Sequence, residues 1–234
     1  MRFIGQLFFA SAFALLGAAA QAANPAGNAV AVIQQAKGEL DGSTTVIAVG
    51  DGLFMGQQVI TGTRGQVQIV FSDSTHLVVG PGSSLVISEY LMRNNGTASK
   101  FVVDALSGTF RFVTGKSRHD AYEIRTPTGT LGVRGTAFDF SIEPRSGETA
   151  VLLYHGGVEM CAAAGDCVML TEVCDLGLIP RRNSPTILTE RKRPPKLKGF
   201  PYLSSQRPLR DDFRIRAAAD CKQAPAAAHI STPP

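Results

Sequence analysis

The sequence contains no tryptophan and, after residue 23, no apolar run long enough to cross a membrane. It also lacks the motifs on which several classes of enzyme depend. There is no G-x-S-x-G elbow of a serine hydrolase and no Lys-Ser/Thr signature of a nucleotide-binding loop. The cysteine spacings are not those of a zinc ribbon, and no histidine lies at ligand distance from them in sequence. These absences predict a protein that is not an enzyme and that carries no metal or cofactor.

Helical signals are also missing, because no stretch between residues 30 and 170 combines helical periodicity with a capping residue. Short strand patterns recur instead, as in the alternating Val67, Ile69 and Phe71, and turn sequences such as Asn95-Gly96 separate them. The sequence therefore predicts an all-β fold of short antiparallel or stacked strands. The strand lengths and spacings suit a sandwich, a barrel or a β-helix-like solenoid equally.

The first residues have the pattern of a signal peptide. Arg2 precedes an apolar segment that runs from Phe3 to Leu16, and Ala20-Gln21-Ala22 fits the A-x-A cleavage pattern. An uncleaved membrane anchor is the alternative, since this region approaches spanning length. Its small residues and the absence of a basic stop favour cleavage near Ala22. We predict a signal peptide over residues 1–22, a periplasmic or secreted protein, and no stable transmembrane segment after cleavage.

Basic residues are concentrated near the C-terminus. Residues 1–180 carry 11 Lys/Arg against 15 Asp/Glu, whereas residues 181–216 carry 11 against 3. We predict an irregular, Pro-rich basic extension over residues 176–222 and a disordered tail over residues 223–234. An anionic envelope surface is a suitable partner for this extension, whereas export removes nucleic acid as a partner. Its candidate interaction residues are Arg191, Lys192, Arg193, Lys196 and Lys198.

Four cysteines in an exported chain are typical of disulfides. Cys161 and Cys167 are separated by a short segment between strand-like sequences, so they can face each other across a hairpin. Cys174 and Cys221 would then attach the basic extension to the domain. The sequence leaves open which of the three connectivities forms.

The densest motif runs from residue 126 to residue 136. A structural interpretation assigns its proline and glycines to tight, closely packed corners. The alternative is an anion site in which backbone N–H groups surround a ligand and Arg134 supplies the charge. We favour the structural interpretation and keep Arg134 as a candidate interaction residue. The residues of the structural motif are Thr126, Pro127, Gly129, Gly132, Gly135 and Thr136.

The sequence contains little evidence of a catalytic group of residues. Asp73 and His76, with serines on either side of Asp73, invite comparison with a hydrolase. Residues three apart on a strand face opposite sides of the sheet, so these two side chains can cooperate only if a turn intervenes.

The chain resembles the FecR-like domain family through an ordered series of short motifs. Its first part is Gly50-Asp51, Thr61-Gly62 leading into residues 67–74, and Gly80-Pro81. The middle is residues 106–111, and the end is Thr126-Pro127 with Arg134-Gly135-Thr136 and Gly156-Gly157-Val158. Together these motifs cover roughly residues 40–160.

The resemblance implies an all-β domain over residues 30–175, of a twisted, β-helix-like type, and a non-enzymatic periplasmic role. In the best-known members this domain is the outer half of a transmembrane sensor that relays iron-siderophore transport status to a sigma factor. Only Met1 and Arg2 precede the apolar segment here. We therefore expect a stand-alone periplasmic member that lacks the cytoplasmic anti-sigma region.

Three functions are compatible with these features. The first is a module for protein interaction or signal relay in the cell envelope, with an envelope protein as its partner. The second is binding of an envelope polymer, peptidoglycan or a surface polymer, through the basic extension. The third is a sensor of a small anion or a ferric chelate near Arg134.

Overall fold

The computed structural model describes residues 24–189 and 193–222, and the predicted signal peptide and tail lie outside these ranges. Within them, fifteen strands form one continuous mixed sheet. The strands are β1 (Gly27–Ile33), β2 (Ala36–Leu40), β3 (Ser43–Val46), β4 (Gly52–Leu53), β5 (Gln58–Thr61), β6 (Gln66–Phe71), β7 (His76–Val79), β8 (Ser84–Met92), β9 (Ala98–Val113), β10 (Tyr122–Thr126), β11 (Gly129–Ile142), β12 (Thr149–Ala162), β13 (Cys167–Leu170), β14 (Leu176–Ile179) and β15 (Thr186–Ile187).

Helical segments are short and lie mainly after the last strand. They are α1 (Arg193–Leu197), α2 (Pro201–Ser204) and α3 (Ala217–Asp220), with single 3-10 turns at His119–Ala121 and Asp211–Phe213. None of the helices in the described part of the chain is long and apolar enough to cross a membrane.

The sheet folds over itself into two layers. The first layer has the order β3-β2-β5-β8-β9-β10-β11-β12-β13, and the second has the order β4-β1-β6-β7-β9-β11-β12-β14-β15. Strands β9, β11 and β12 occur in both orders because each passes from one layer into the other. Neighbouring strands are antiparallel except for β9 and β10, which run parallel.

Strand β9 shows how sharply these long strands bend. Phe101 and Phe112 are eleven residues apart, a separation of roughly 36 Å in a straight strand. Their ring centroids are only 5.7 Å apart. Phe101 also contacts Phe71 of the second layer, with 4.7 Å between centroids. The two halves of β9 therefore lie on opposite sides of a shared aromatic core.

Each long strand bends at a glycine with a positive φ angle. These residues are Gly108 in β9 (φ +105°), Gly135 in β11 (φ +61°) and Gly156 in β12 (φ +80°). In β11 the register with β12 shifts immediately after Arg134, as expected for a β-bulge at the corner. A Cβ on Gly156 would collide with the carbonyl oxygen of Gly135, so the two corners pack directly on each other.

Substituting Gly156 with alanine should therefore destabilise the fold by more than the strain of a positive φ alone, which is about 1–2 kcal/mol. Gly96→Ala is the matched control, because Gly96 has a similar φ of +75° and open space around it. Urea unfolding of both variants, followed by far-UV circular dichroism, measures the difference. Equal losses would show that the contact between the corners does not constrain the bend.

The core between the layers confirms the predicted all-β fold. Val67, Ile69 and Phe71, which alternate in the sequence, all point into it and are buried. Residues 149–154 are buried on both faces of β12, as the continuous apolar pattern predicts. Both faces are covered there because the second layer is enclosed on its outer side as well.

The polypeptide that covers this outer face is the C-terminal extension. Strand β14, which lies just beyond the predicted boundary at residue 175, pairs with β12 and enlarges the second layer. Residues 197–221 then pack across the sheet through Phe200, Tyr202, Leu203 and Phe213, all of which are buried. The extension is thus part of the packed fold in the described residues, and only the second layer has a covered outer face.

Candidate functional site

The motif at residues 126–136 forms the connection from β10 to β11 and the first half of β11. Gly129 lies against the backbone of β12, where a Cβ would collide with the carbonyl oxygen of Cys161. Gly135 forms the corner described above. The hydroxyl of Thr136 donates to the carbonyl oxygen of His155, and its backbone N–H donates to the hydroxyl oxygen of Thr114 at 3.1 Å. These contacts are structural ones within the sheet.

Other members of the motif bond to one another. The hydroxyl of Thr126 donates to the carbonyl oxygen of Gly129 at 3.0 Å and accepts from the hydroxyl of Thr149 at 2.9 Å. Pro127 occupies the turn and lies close to Gly147 in the neighbouring connection. Gly132 faces Glu159 with ordinary van der Waals spacing. The segment therefore joins β10, β11 and β12 through the Thr126 hydroxyl and close approaches of its backbone.

Arg134 lies on the outer face of the first layer, which the C-terminal extension leaves open. Its side chain is 62% exposed, and Nη2 lies 3.8 Å from a carboxylate oxygen of Glu159 on β12. The strands place Lys100, Glu123 and Arg134 on one side of the sheet, and Asp120 adds a carboxylate from the 3-10 turn beside them. Together these residues line an open groove of about 540 Å³ that carries charges of both signs.

The opposite, covered face is organised by a buried ion pair. Arg111 of β9 and Asp139 of β11 are opposite each other in register, and neither side chain is exposed. The guanidinium donates two bonds to the carboxylate, from Nε at 2.6 Å and from Nη2 at 2.9 Å. This bidentate geometry is the strong form of the arginine–carboxylate pair.

The C-terminal extension completes the environment of this pair. The Arg111 guanidinium lies 5.4 Å from the ring centroid of Tyr154 and 5.3 Å from that of Tyr202. It also donates through Nη1 to the side chain of Gln206 and to the carbonyl oxygen of Phe213, the latter at 3.3 Å. The extension therefore contributes an aromatic ring and two acceptors to a charge that the sheet buries.

Burial governs the titration of the groups around the pair. Burial opposes the charge of Arg111, but its bonds with Asp139 outweigh this effect and raise the pKa of Arg111. Burial, reinforced by the negative charge of Asp139, raises the pKa of Tyr154 well above its ordinary value. The Tyr154 hydroxyl consequently stays protonated and donates to Asp139 at 2.8 Å.

Two glutamines on β6 hold the extension through its main chain and through the hydroxyl of Tyr202. Gln68 donates to the carbonyl oxygen of Pro208 at 3.0 Å and accepts from the N–H of Arg210 at 2.9 Å. Gln66 accepts from the Tyr202 hydroxyl at 2.8 Å. Both glutamines are buried on the face opposite to their apolar neighbours in the sequence. Their amides satisfy polar backbone groups that the packed extension removes from water.

The predicted basic cluster lies partly outside the described residues. Arg191 and Lys192 lie outside the described residues, and Arg193 begins α1. Lys196 is half-buried and forms an ion pair with Glu148, whereas Lys198 is exposed. Among the described residues, Lys196 and Arg134 belong to different ion pairs, with Glu148 and with Glu159.

Two disulfides join the cysteines in the described chain. Cys161 bonds to Cys167 across the β12–β13 hairpin, with the Cα atoms 4.0 Å apart. Cys174 bonds to Cys221 at the end of α3, with the Cα atoms 5.1 Å apart. The second bond attaches the end of the extension to the second layer. The predicted formation of disulfides is confirmed, and the connectivity is Cys161 with Cys167 and Cys174 with Cys221.

Asp73 and His76 do not form a catalytic pair. The Asp73 carboxylate is fully buried and accepts from the hydroxyls of Ser117 at 2.6 Å and Tyr122 at 2.8 Å. His76 points to the other side of the sheet, where its Nε2 lies 3.7 Å from a carboxylate oxygen of Asp212. Among residues 24–189 and 193–222, no group of three or more His, Cys, Asp or Glu is placed to hold a metal ion.

Sequence reasoning missed Arg111 and Asp139. The available signal was a pair of matching patterns, Phe110-Arg111-Phe112 and Phe138-Asp139-Phe140, in which opposite charges sit between core phenylalanines. Strand alternation places such charges on the face opposite the core, which is ordinarily solvent. Only the position of the C-terminal extension makes that face an interior one.

Part of this chain is similar to a known protein family and to two solved structures. The model of the FecR family, described as FecR protein, matches residues 57–159, which span β5 to β12. No curated protein matches the chain. Two crystal structures of a protein provisionally described as an anti-sigma factor from Parabacteroides distasonis are similar, at 17% and 16% identity with TM-scores of 0.44 and 0.45. Each match covers 56% of this chain and 57% of the other. The match of the FecR model to residues 57–159 confirms the resemblance inferred from the motif series.

Proposed function

We propose that this chain is an exported, non-catalytic FecR-type module that binds another cell-envelope protein and relays its state. The FecR domain supports a signalling or regulatory role in general terms. Two disulfides are in keeping with an oxidising compartment, since disulfides persist mainly in exported proteins. The predicted signal peptide, the periplasmic location and the envelope partner belong to this proposal.

The observation that carries the proposal is the difference between the two faces of the folded sheet. The outer face of the second layer is occupied by the chain's own extension, whereas that of the first layer is open around Arg134. Glu123 and Glu159 stand near Lys100 and Arg134, so charges of both signs alternate over this open face. Such a pattern suits recognition of a protein surface, where complementary charges set orientation and partner choice.

The same pattern makes the other two functions less suitable for this face. A small anion or a ferric chelate would meet the carboxylates of Asp120 and Glu159 beside Arg134. An anionic polymer would have to use the extension, where Lys196 is paired with Glu148 and Arg214 with Asp211. These pairs reduce the charge that the extension presents. We therefore place the protein-binding surface on the open face of the first layer.

Reversing the charge of Arg134 should reduce recovery of the envelope partner at least tenfold in a cross-linking pull-down from the cells that make the protein. The reason is that a like-charge contact replaces a complementary one at the interface. Arg64→Glu is the matched control, because Arg64 is an exposed arginine in the turn before β6. Its substitution changes the net charge of the protein by the same amount.

Sedimentation with purified peptidoglycan separates the polymer alternative in the same preparations. Binding of a protein that falls with Arg134→Glu but not with Arg64→Glu supports the proposal. Equal recovery with both variants, or cosedimentation with peptidoglycan and no captured protein, would refute it.

A further inference from the structure

We propose that β3 is a docking edge for an extended, uncharged segment of another protein, which adds to the first layer as a further strand. This surface lies at the opposite end of the strand order from β13 and does not include the groove around Arg134. The inference therefore stands independently of the interaction face proposed above.

The hydrogen-bonding pattern of β3 leaves two residues with outward-pointing backbone groups. The N–H of Ile47 donates to the carbonyl oxygen of Ala36 at 2.9 Å. In the register of β2 and β3, this makes Gly38 and Thr45 a hydrogen-bonded pair as well. The alternate residues Thr44 and Val46 consequently direct their N–H and C=O groups away from β2. In the described chain β3 pairs with β2 alone, so these groups form a free edge.

The sequence around β3 lacks the usual protection of an edge strand. Natural edges are blunted by lysine and other charged residues, by proline or by bulges. Residues 42–50 contain no charged residue and no proline. Val46 is 71% exposed, and Val49 nearby is also exposed. The other edge strands differ, because β4 and β15 have two residues each and β15 lies beside β13.

A groove beside β3 indicates which type of side chain the added strand has. The two layers do not close on this side, and a groove of about 600 Å³ runs between β3 and β4. The buried core residues Ile47 and Leu53 line it together with Ser43 and Thr45, and Asp41 and Asp51 each add a carboxylate. A strand added next to β3 turns alternate side chains toward this groove. A large apolar side chain at one of those positions would fill it.

This geometry favours a different protein over a second copy of this chain. Two copies joined antiparallel through β3 would turn Ser43 and Thr45 toward the groove, and Ile47, which faces the same side, is already buried in the core of its own copy. Ser43 and Thr45 are small and polar, so the groove would stay largely unfilled. The partner segment therefore has a large apolar residue that faces the groove. On the outer face it has β-branched or apolar residues beside Thr44 and Val46, because cross-strand pairs of this kind stabilise a sheet. Strand addition of this type gives affinity through the main chain and specificity through alternate side chains.

Selection of random octapeptides displayed on phage against the full chain tests the proposal. The expected enriched peptides are uncharged over at least five residues and have large apolar residues at alternate positions. Their binding should fall at least tenfold with Val46→Pro, which removes an N–H that β2 does not use. Val46→Lys is a second variant that keeps the backbone intact and should weaken binding in the same direction. Val173→Lys is the matched control at another exposed valine, 53% accessible, and should change nothing.

Each alternative outcome overturns the assignment. Enriched peptides that bind the wild-type protein and both Val46 variants equally would place the site elsewhere. A selection that enriches no such sequence would show that the edge does not accept a strand. Dimerisation that depends on protein concentration in analytical ultracentrifugation, and that Val46→Lys abolishes, would assign β3 to a second copy of this chain.

Discussion

Replacing Asp139 with alanine should lower the free energy of unfolding by about 3–5 kcal/mol, the loss typical of a buried ion pair from which one partner is removed. Arg111 would remain fully buried between Tyr154 and Tyr202 with a charge that no carboxylate balances. The Tyr154 hydroxyl would lose its acceptor at the same time. Denaturation in urea, followed by far-UV circular dichroism because the chain has no tryptophan, measures this loss.

Two controls isolate the burial of the charge as the cause. Asp120→Ala removes the partner of Arg118 from a pair that is exposed on both sides, and it should leave stability unchanged. The double substitution Arg111→Met with Asp139→Leu removes both charges and should restore most of the stability, since apolar replacements of buried pairs are often neutral or better. If Asp139→Ala behaved like Asp120→Ala, the buried ion pair would not contribute to the stability of the fold.

The strands themselves could be predicted because each depends on local sequence. Alternation in β6 identifies Val67, Ile69 and Phe71 as core residues, and turn residues such as Asn95-Gly96 separate the elements. The division into two layers could not be predicted in the same way. It depends on single glycine corners within continuous strands, and Gly108 has the same sequence signature as any glycine in a strand.

The charged interior was beyond sequence analysis for a related reason. Gln66, Gln68 and Arg111 lie on the polar side of their strands, the side that local alternation assigns to solvent. They become buried because the C-terminal extension covers them. For Gln66 and Gln68, the residue that they contact is Pro208, more than a hundred positions further along the chain. The apolar residues Phe200 and Tyr202 predict that the extension lies against something. They do not specify which face of which layer receives it.

The candidate site, like the fold, could be predicted from the sequence only in part. Gly129 lies at a close approach to β12 and Gly135 at a corner with a positive φ, and such backbone positions are the ones that residue type can indicate. Arg134 as an interaction residue stays a prediction, since its exposed side chain contacts only Glu159 among the described ion pairs. The role of the extension in leaving one face open and covering the other follows from tertiary structure alone.

Removing the disulfide between Cys174 and Cys221 by substituting both with serine should lower the unfolding free energy by about 4 kcal/mol. The bond closes a loop with a sequence separation of 47 residues, and the entropy that a cross-link removes from the unfolded chain increases with loop length. The corresponding substitution of Cys161 and Cys167, which are six residues apart, should lower it by only about 2 kcal/mol in the same chain-entropy model. The two double variants therefore serve as controls for each other in one series of urea unfolding curves.

The larger loss should come with a local effect that the smaller one lacks. Without its covalent attachment, the extension is held by the contacts of Phe200, Gln206 and their neighbours with the second layer. We expect residues after β14 to be cleaved faster by a limiting amount of trypsin in the Cys174→Ser/Cys221→Ser variant, because arginines and lysines in this segment become accessible when it opens. The Cys161→Ser/Cys167→Ser variant should retain the wild-type cleavage rate in this segment. Equal stability losses and equal cleavage in both variants would show that the second disulfide does not hold the extension on the sheet, and that the ion pair and the buried aromatic residues are sufficient to do so.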